Sequence, residues 1–532
     1  MKNTITYILV SVLAIGLTNC TGDFEDKNTD PHGISDESLK QKFNNIGTKF
    51  APMFSNVIRA EPAPNFQLQH NLNADVFSGY MASPTPFAGN INNQTYSLVS
   101  GWNQFIWSDA YDVDDGGGVM PYARGVHEQV ELSEGKNIIM YTYLSDIIKV
   151  MAMHRISDVF GPIRYTKFDD YGTTGEYDSQ EVAYKAFFAD LEKAIDSLKE
   201  FEGEPQFEAF DQSFFRGDVA KWRTFANTLR LRLAIRVSKV DPALAKTEGE
   251  KSLSSDAGLL ENEDMLIDMQ GFVHPLWTIS NDWGDIRMSA EMESVLKGFN
   301  DGRVEKYFKP AIGGGIEGMY KGVRMGVDIE AKSQYLEHSS LGEYLKNQAF
   351  KVWMTSAEVY FLKAEAALRG WDGAGDAKEN YENGVRASFA QHGVAGVDEY
   401  LADATSTPAD FVDAINPENN YEYPGDVTIA YNSGGSKEEQ LEQIITQKWI
   451  AMYPDGQEAW SEFRRTGYPR VFPVVINNSG GTIDTEVQIR RINFVDSEKN
   501  TNNANVEKAI NYLSGPDTGG TRLWWDTGGP NF

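Results

Sequence analysis

The chain has 532 residues, enough for a large hydrophobic core, and its one cysteine means that no internal disulfide stabilises it. A formal net charge of −29 argues against nucleic acid as a partner and against electrostatic attraction to an anionic membrane surface. Aromatic residues make up 12% of the chain and include 11 tryptophans, more than a simple core requires, so some of these rings are candidates for a binding surface.

The N-terminal segment predicts an exported chain with a lipid anchor. Lys2 supplies a short basic start, and the mainly apolar run over residues 5–17 has the length of a signal peptide rather than of a transmembrane helix. Leu17 stands three residues before Cys20, as in a bacterial lipobox. A buried structural cysteine is the alternative, but the polar residues after Cys20 offer no core around it. We therefore predict a signal peptide over residues 1–19, a lipidated Cys20 and an acidic tether over residues 20–33.

The remaining chain, residues 34–532, is predicted to form one binding domain that is mostly α-helical. Asp178 and Glu181 have the spacing of a capping box, and the apolar residues after them recur at steps of three and four. A second helix begins at Asp218 and is expected to bury its apolar face and leave its arginines outward. A third begins near Thr355 and ends at Gly370, which has the character of a C-cap glycine.

Some of these predicted helices occur as pairs. The helix with Ala364, Ala367 and Gly370 precedes one with Tyr381 and Val385, an arrangement like that of tetratricopeptide repeats. Two further stretches, within residues 140–198 and 437–465, have the same two-helix layout. Long segments rich in Gly, Asn, Pro and Asp lie between the pairs, over residues 60–120, 265–350 and 395–435. Loops of that length in a compact chain are usually functional.

Several stretches, taken in order, resemble the SusD/RagB family of outer-membrane lipoproteins, and together they extend over nearly the whole chain. They are DFEDKNTDPHGIS after Cys20, RISDVFGPIRYT at 155–166, MTSAEVYFLKAEAALRGW at 354–371, QKWIAMYPDGQEAWSEFRRTGYPRV at 447–471, and the C-terminal RRINF and LWWDT. The resemblance implies a SusD-like scaffold of tetratricopeptide-like helix pairs with long, loop-rich ligand-binding insertions. It also implies an outward-facing, lipid-anchored protein of the outer membrane. Such a protein would capture an oligosaccharide or another nutrient and deliver it, as a lid, to a SusC-like TonB-dependent transporter.

The sequence carries no motif that predicts an enzyme or a cofactor. It has no phosphate-binding loop, no HExxH zinc helix and no GxSxG nucleophile elbow, and its seven histidines have no metal-ligand spacing. The YDVDDGGG stretch contains Asp112, Asp114 and Asp115, but its spacing does not fit an EF-hand, and an acidic turn is favoured over a calcium site.

Two further groups of charged residues are interpreted as structural. Glu358 and Glu365 share one helix face about 10 Å apart, and pairing with arginines such as Arg464 and Arg465 is favoured over a glycosidase site. The two adjacent arginines point about 100° apart on a helix, so we interpret them as scaffold rather than as a clamp for an anionic ligand. A glycan-degrading enzyme and a structural or adhesive surface protein remain the alternatives to a binding protein.

Two aromatic clusters are the predicted ligand site. Sugar rings have apolar faces and hydroxyl edges, so aromatic rings next to amides and carboxylates suit both. Core anchoring is the alternative for each ring, because tryptophan is often highly buried. We expect Trp102 and Trp283 to stack on ligand and Asn103 and Asp282 to hydrogen-bond to it. The full set of candidates is Trp102, Asn103, Trp107, Tyr111, Trp277, Asn281, Asp282 and Trp283.

Overall fold

The structure is a computed structural model that describes residues 43–112, 117–168 and 175–532. The predicted signal peptide, Cys20 and the acidic tether lie outside these residues. Asp114 and Asp115 of the acidic turn also lie outside them, so only Asp112 of that group is described. The predicted boundary of the binding domain at residue 34 lies in the same undescribed N-terminal part.

Helices dominate the described part of the chain, as expected. The α-helices are α1 (Asn44–Gly47), α2 (Phe50–Val57), α3 (Ala63–Phe66), α4 (Ser100–Tyr111), α5 (Val119–Leu132), α6 (Met140–Phe160), α7 (Gln180–Leu198), α8 (Val219–Arg236), α9 (Pro242–Leu253), α10 (Pro275–Trp277), α11 (Ala290–Gly298), α12 (Val304–Tyr307), α13 (Tyr344–Asn347), α14 (Ser356–Leu368), α15 (Ala377–Gln391), α16 (Val397–Leu401), α17 (Lys437–Ala451), α18 (Gly456–Thr466), α19 (Asp496–Thr501) and α20 (Asn503–Ile510). Two π-helical segments are Gln67–Asp75 and Thr278–Asp282. Short 3₁₀ turns are Phe87–Asn90, Asn93–Thr95, Lys199–Phe201, Pro205–Phe207, Lys332–Gln334 and Pro417–Asn419.

The strands are few and short, and they form two antiparallel pairs. β1 (Met81–Ala82) pairs with β3 (Arg287–Met288), and β2 (Met265–Asp268) pairs with β4 (Phe350–Met354). In the first pair Met81 lies opposite Met288. This pairing brings the chain segment after residue 82 next to the segment before residue 287, although the two are far apart in sequence.

Stacked helix pairs form the scaffold. α6 packs against α7 and α7 against α8, while α14 packs against α15 and α17. α8 also contacts α14, so the two groups share one hydrophobic core. The tetratricopeptide-like pairing predicted for α6 with α7 and for α14 with α15 is confirmed.

The helix starts follow ordinary capping chemistry, with one difference from prediction. The Asp218 and Thr355 side chains cap α8 and α14 as expected, and Gly370 after α14 has a φ of +74°. The N-cap of α7 is Ser179 rather than Asp178. The Asp178 carboxylate instead accepts hydrogen bonds from the backbone N–H groups of Tyr165 and Thr166. The capping-box interpretation of Asp178 is therefore wrong by one residue.

The arginines of α8 point into the protein, so the prediction that they face outward is wrong. Arg232 donates to both oxygens of Glu358, at 2.8 and 2.6 Å. Arg236 lies 3.2 Å from Asp158 and 2.5 Å from Glu458. Burying a cation is costly unless an anion pairs with it, and here α6, α14 and α18 supply the anions. The apolar periodicity of α8 could not reveal these partners, because they lie on other helices.

We call this set of charges the buried ion network; its members are Arg232, Arg236, Lys448, Arg465, Asp158, Glu358, Glu365, Glu458 and Glu462. Arg465 forms bonds of 2.7 and 2.6 Å with Glu365. The predicted pairing of Glu365 with Arg465 is thereby confirmed, whereas Arg464 bonds to backbone carbonyls and a serine hydroxyl instead of a carboxylate. Burial opposes ionisation of Glu458, but the neighbouring charges of Arg236, Arg232 and Lys448 lower the pKa of this carboxyl to about 2. Glu458 is therefore ionised at neutral pH and pairs with the cations around it.

Candidate functional site

The first predicted cluster lies on a helix, not in a loop. α4 places Asn103, Ile106, Trp107, Ala110 and Tyr111 on one buried face. Only 2% of Trp107 is exposed, and its ring packs edge-on against Phe160 and parallel to Tyr177. The assignment of these aromatics to an unstructured segment is therefore wrong, because their spacing also fits a helical stripe.

Asn103 and Tyr111 hold the local backbone together rather than facing solvent. The Asn103 side-chain oxygen accepts a hydrogen bond of 3.0 Å from Asn93 Nδ2. The Tyr111 hydroxyl donates to the Arg164 carbonyl at 3.0 Å. Asn103, Trp107 and Tyr111 are all buried, so none of them is accessible to a ligand at the surface in this structure.

Trp102 lies on a different side of α4 and is half-buried. Its ring meets Phe87 edge-to-face, with ring centroids 5.7 Å apart and an interplanar angle of 85°. Phe87, also half-buried, belongs to the short turn Phe87–Asn90 between two turn-rich stretches. Trp102 and Phe87 together form a partly exposed aromatic pair.

The second predicted cluster divides into a buried and an exposed half. Trp277 is buried, and the ammonium groups of Lys309 and Lys346 lie 4.4 and 5.3 Å from its ring centroid. The Asn281 side chain is half-buried and donates to the Leu341 carbonyl at 3.3 Å. Asp282 and Trp283 are exposed, with 38% of Trp283 accessible to solvent.

Asp285 joins the loop of Phe87 to the loop of Trp283. Its Oδ1 accepts a hydrogen bond from the Thr85 hydroxyl at 2.7 Å and an ion-pair bond from Lys332 Nζ at 2.6 Å. Its Oδ2 accepts from Gln67 Nε2 at 3.3 Å, and Lys332 also donates to the Trp283 carbonyl at 2.7 Å. The loop of Phe87 and the loop of Trp283 are thereby held against each other through one carboxylate.

Gly284 fixes the direction of the Trp283 loop. Its φ is +73°, a conformation that residues with a side chain rarely adopt. A Cβ atom at this position would lie 2.8 Å from Leu336 Cδ1, which is too close. The glycine lets the chain turn back at once, so that Trp283 faces solvent while Asp285 reaches inward.

We call the resulting surface the aromatic face; it consists of Phe87, Trp102 and Trp283 with the polar residues Thr85, Asp282, Asp285 and Lys332. Flat rings of this kind stack on the apolar faces of sugars, and the flanking carboxylate, hydroxyl and ammonium groups suit hydroxyl and amide substituents. Phe87, Thr85, Asp285 and Lys332 were not predicted from the sequence. The only sequence signal was an aromatic residue in the turn-forming stretch PTPFAGN, which has neither helical nor strand periodicity.

The two glutamates considered as a glycosidase pair are bonded within the scaffold. Glu358 and Glu365 are at most 2% exposed and are bonded to Arg232 and Arg465, so neither reaches a substrate. Within residues 43–112, 117–168 and 175–532, no group of three or more His, Cys, Asp or Glu side chains could hold a metal ion. None of the helices in these same ranges is both long and apolar enough for a transmembrane span.

Comparison with solved structures identifies close relatives. A chitin-binding SusD homologue from Flavobacterium johnsoniae has 46% sequence identity and a TM-score of 0.87, and the match covers 92% of this chain and 100% of that chain. A SusD homologue from Bacteroides vulgatus has 35% identity and a TM-score of 0.83 over 92% and 100% of the two chains. One from Bacteroides uniformis has 34% identity and a TM-score of 0.83 over 91% and 99%.

Sequence comparison gives the same assignment. The family model described as "SusD-like: Susd and RagB outer membrane lipoprotein" matches residues 26–526. A search of curated proteins finds no match. Because the family model spans nearly the whole chain and the relatives are aligned over nearly their full length, the chain belongs to the SusD/RagB family of outer-membrane lipoproteins.

Proposed function

We propose that this protein captures oligosaccharides at the cell surface with its aromatic face and does not cleave them. The observation that carries the proposal is the Asp285 bridge, which joins the loop of the exposed Trp283 to the loop of Phe87, whose ring packs against Trp102. Stacking on such rings requires partly exposed aromatic surfaces that do not move on binding, because each immobilised side chain costs binding free energy. The bridge supplies that rigidity before a ligand arrives.

The ligand class that we propose is a chitin-type oligosaccharide, a chain of N-acetylglucosamine units. The 46% identical relative is a chitin-binding protein, which supports this choice. The aromatic face suits it, since each unit presents an apolar ring face for Trp283 and an acetamido group that needs hydrogen-bonding partners. Lys332, which donates to the Trp283 carbonyl, and Asp282, the exposed residue before Trp283, are the candidate donor and acceptor for that group.

The binding site is tested by calorimetric titration of the N-acetylglucosamine hexamer into the wild-type protein and two variants. Trp283→Ala and Trp102→Ala are each expected to weaken binding at least about tenfold, a loss of ~1.4 kcal/mol. Tyr512→Ala is the matched control, because Tyr512 is an exposed aromatic residue at the C-terminal end of the chain, next to α20. Unchanged affinity in both tryptophan variants would place the ligand elsewhere.

Ligand specificity and turnover are tested with the same protein. A glucose hexamer without acetamido groups should bind more weakly than the N-acetylglucosamine hexamer; equal affinity would contradict the chitin assignment while leaving the aromatic face intact. Prolonged incubation should leave the hexamer at its original length. The appearance of shorter oligosaccharides would favour the glycan-degrading enzyme.

We further propose that a lipid on Cys20 anchors the protein and that it delivers its ligand to a SusC-like TonB-dependent transporter as a lid. Membership of an outer-membrane lipoprotein family supports both parts. Cys20→Ala should move the protein from the membrane fraction to the soluble fraction; retention after a carbonate wash would contradict the anchor. Mild detergent extraction of the wild type should recover the transporter with it. Repeated recovery of the lipoprotein alone would favour the adhesive alternative.

A further inference from the structure

A second concavity lies outside the aromatic face, beside the C-terminal end of α18. Its volume is about 400 Å³, within the usual range for small-molecule sites. We call it the basic cleft, since six basic side chains line it: Lys239, Arg464, Arg465, Arg470, Arg490 and Arg522. Glu486 is the one acidic residue among the lining residues. This excess is opposite in sign to the chain as a whole, whose net charge is −29.

Part of this positive charge is neutralised by carboxylates. Arg465 belongs to the buried ion network, and Arg470 lies 2.9 Å from Glu442. Arg490 and Arg522 share the single carboxylate of Asp526, at 2.7 and 2.6 Å. One negative charge between two guanidinium groups leaves this part of the cleft with a positive charge in excess.

Two further cations are bonded only to neutral groups. Lys239 Nζ donates to the carbonyls of Arg465 at 3.0 Å and Gly529 at 3.2 Å, which leaves its third hydrogen available. Arg464 donates to backbone carbonyls, among them that of Arg490 at 2.8 Å, and to a serine hydroxyl. In the described ranges, neither cation has a carboxylate oxygen within salt-bridge distance. Carboxylates act on them from farther away, Asp526 and Glu438 on Lys239 and Asp158 and Asp526 on Arg464.

The environment of these cations has the properties expected of an anion site. Burial, together with the nearby charge of Arg465, lowers the pKa of Lys239 to about 8. Like charges in a concave, partly dehydrated space repel one another, and an anion that enters relieves this repulsion. Arg522 and Lys239 are half-buried, so their charged groups are accessible from solvent, whereas Arg464 lies at the back of the cleft.

We propose that the basic cleft binds a small oxyanion, a carboxylate, sulfate or phosphate group, with Lys239 and Arg522 as its direct contacts. Guanidinium and ammonium groups bind these anions through charge-assisted hydrogen bonds. The volume also admits a single sugar ring, so the group is carried either by an acidic sugar unit or by a free inorganic anion. The site is separate from the aromatic face and does not depend on the proposed chitin ligand.

The test is a calorimetric titration of the mature protein with glucuronate and, separately, with inorganic phosphate, at constant ionic strength. We expect saturable binding of one equivalent. Tighter binding of glucuronate identifies an acidic sugar as the source of the group, and tighter binding of phosphate identifies a free anion. If neither compound shows saturable binding, the proposal is wrong.

Variants of two lining residues test whether the anion binds in the basic cleft. Lys239→Gln and Arg522→Gln should each lower the affinity for the tighter-binding anion at least about tenfold. The matched control Lys508→Gln removes an exposed lysine of α20 and should leave the affinity unchanged. Melting temperatures and binding of the N-acetylglucosamine hexamer should be the same in all three variants. Wild-type anion affinity in both cleft variants, or displacement of the anion by the neutral hexamer, would overturn the proposal.

Discussion

The helical scaffold and the aromatic face are held together by opposite means. In the scaffold, buried charges such as Arg465 and Glu365 are bonded twice and are shielded from water. In the aromatic face, two loops meet mainly through the half-buried carboxylate of Asp285 and the lysine beside it. Buried pairs have no solvent to replace a lost partner, whereas exposed groups do. The scaffold therefore tolerates substitution poorly, and the aromatic face can change while the fold persists.

The largest effect that separates the two regions is expected from Arg465→Ala. This change leaves Glu365 and Glu462 without their shared cation, and breaking a buried pair costs about 3–5 kcal/mol of unfolding free energy. Urea unfolding measures the loss. Lys185→Ala is the control, because it breaks the exposed pair with Glu181 and should not change the midpoint. Similar midpoints for both variants would show that the network does not stabilise the scaffold.

Replacing one tryptophan in each region compares how much a tryptophan ring stabilises the scaffold and the aromatic face. Trp107→Ala removes a ring from the core and should destabilise the protein by about 3–5 kcal/mol. Trp283→Ala removes an exposed ring and should cost less than about 1 kcal/mol. Thermal unfolding of the two variants tests the difference. Equal destabilisation would mean that Trp283 is a core anchor of its loop.

Acid should weaken the scaffold through a histidine that is buried in its neutral form. Burial lowers the pKa of His154 to about 3 from an ordinary value of 6.5. Between these two values the unfolded chain binds a proton that the folded chain does not, so stability falls as the pH falls. The loss for this one group is at most about 1.4 kcal/mol per pH unit.

Comparison with His154→Leu isolates that contribution. Other groups titrate in the same range, and some oppose it: burial raises the pKa of Glu291 to about 7, so its protonation stabilises the folded state as the pH falls. These effects are common to both proteins and cancel in the difference. Urea unfolding at pH 7.5 and 5.0 should therefore show a smaller acid loss in His154→Leu, and parallel losses would contradict the assignment.

A small effect on stability, similar in size to that of Trp283→Ala, is expected from Asp285→Asn. The amide keeps one acceptor oxygen but loses the ion pair with Lys332, at a cost of about 1 kcal/mol. Oligosaccharide affinity should fall more than stability does, because without the Lys332 ion pair the Trp283 loop is held less firmly against the Phe87 loop. Asp328→Asn is the control, since it alters only an exposed hydrogen bond from Asn90, at the end of the Phe87–Asn90 turn. A normal affinity for Asp285→Asn would show that the bridge does not organise the site.

The sequence predicts those features that depend on residues close together along the chain, such as the ends of helices. The capping residues Asp218 and Thr355 and the C-cap Gly370 lie where they were predicted, because each acts within one helical turn. The stripe from Asn103 to Tyr111 also has helical spacing, although its aromatic residues considered alone favour a loop. The full set of apolar residues predicts the helix correctly, and the aromatics alone do not.

Contacts between distant parts of the chain were not readable in this way. Arg232 points inward because Glu358 pairs with it. The bridge from Thr85 to Asp285 depends on the pairing of β1 with β3, which the spacing of apolar residues does not predict. A single sequence gives the character of each side chain but not its partner across the fold. The family resemblance supplied the architecture, and the structure supplied Phe87, Asp285 and Lys332.

The Thr85–Asp285 bond joins residues 200 positions apart. This separation affects when the aromatic face forms during folding. Neighbouring helices such as α14 and α15 meet after closing only a short loop, whereas a contact across 200 residues must await closure of a long one. We therefore expect the neighbouring helix pairs to form early, and the two loops to meet late, as do buried ion pairs that also span long stretches of chain, such as Arg232 with Glu358. The proposed oligosaccharide site is then complete only after the helices that support it.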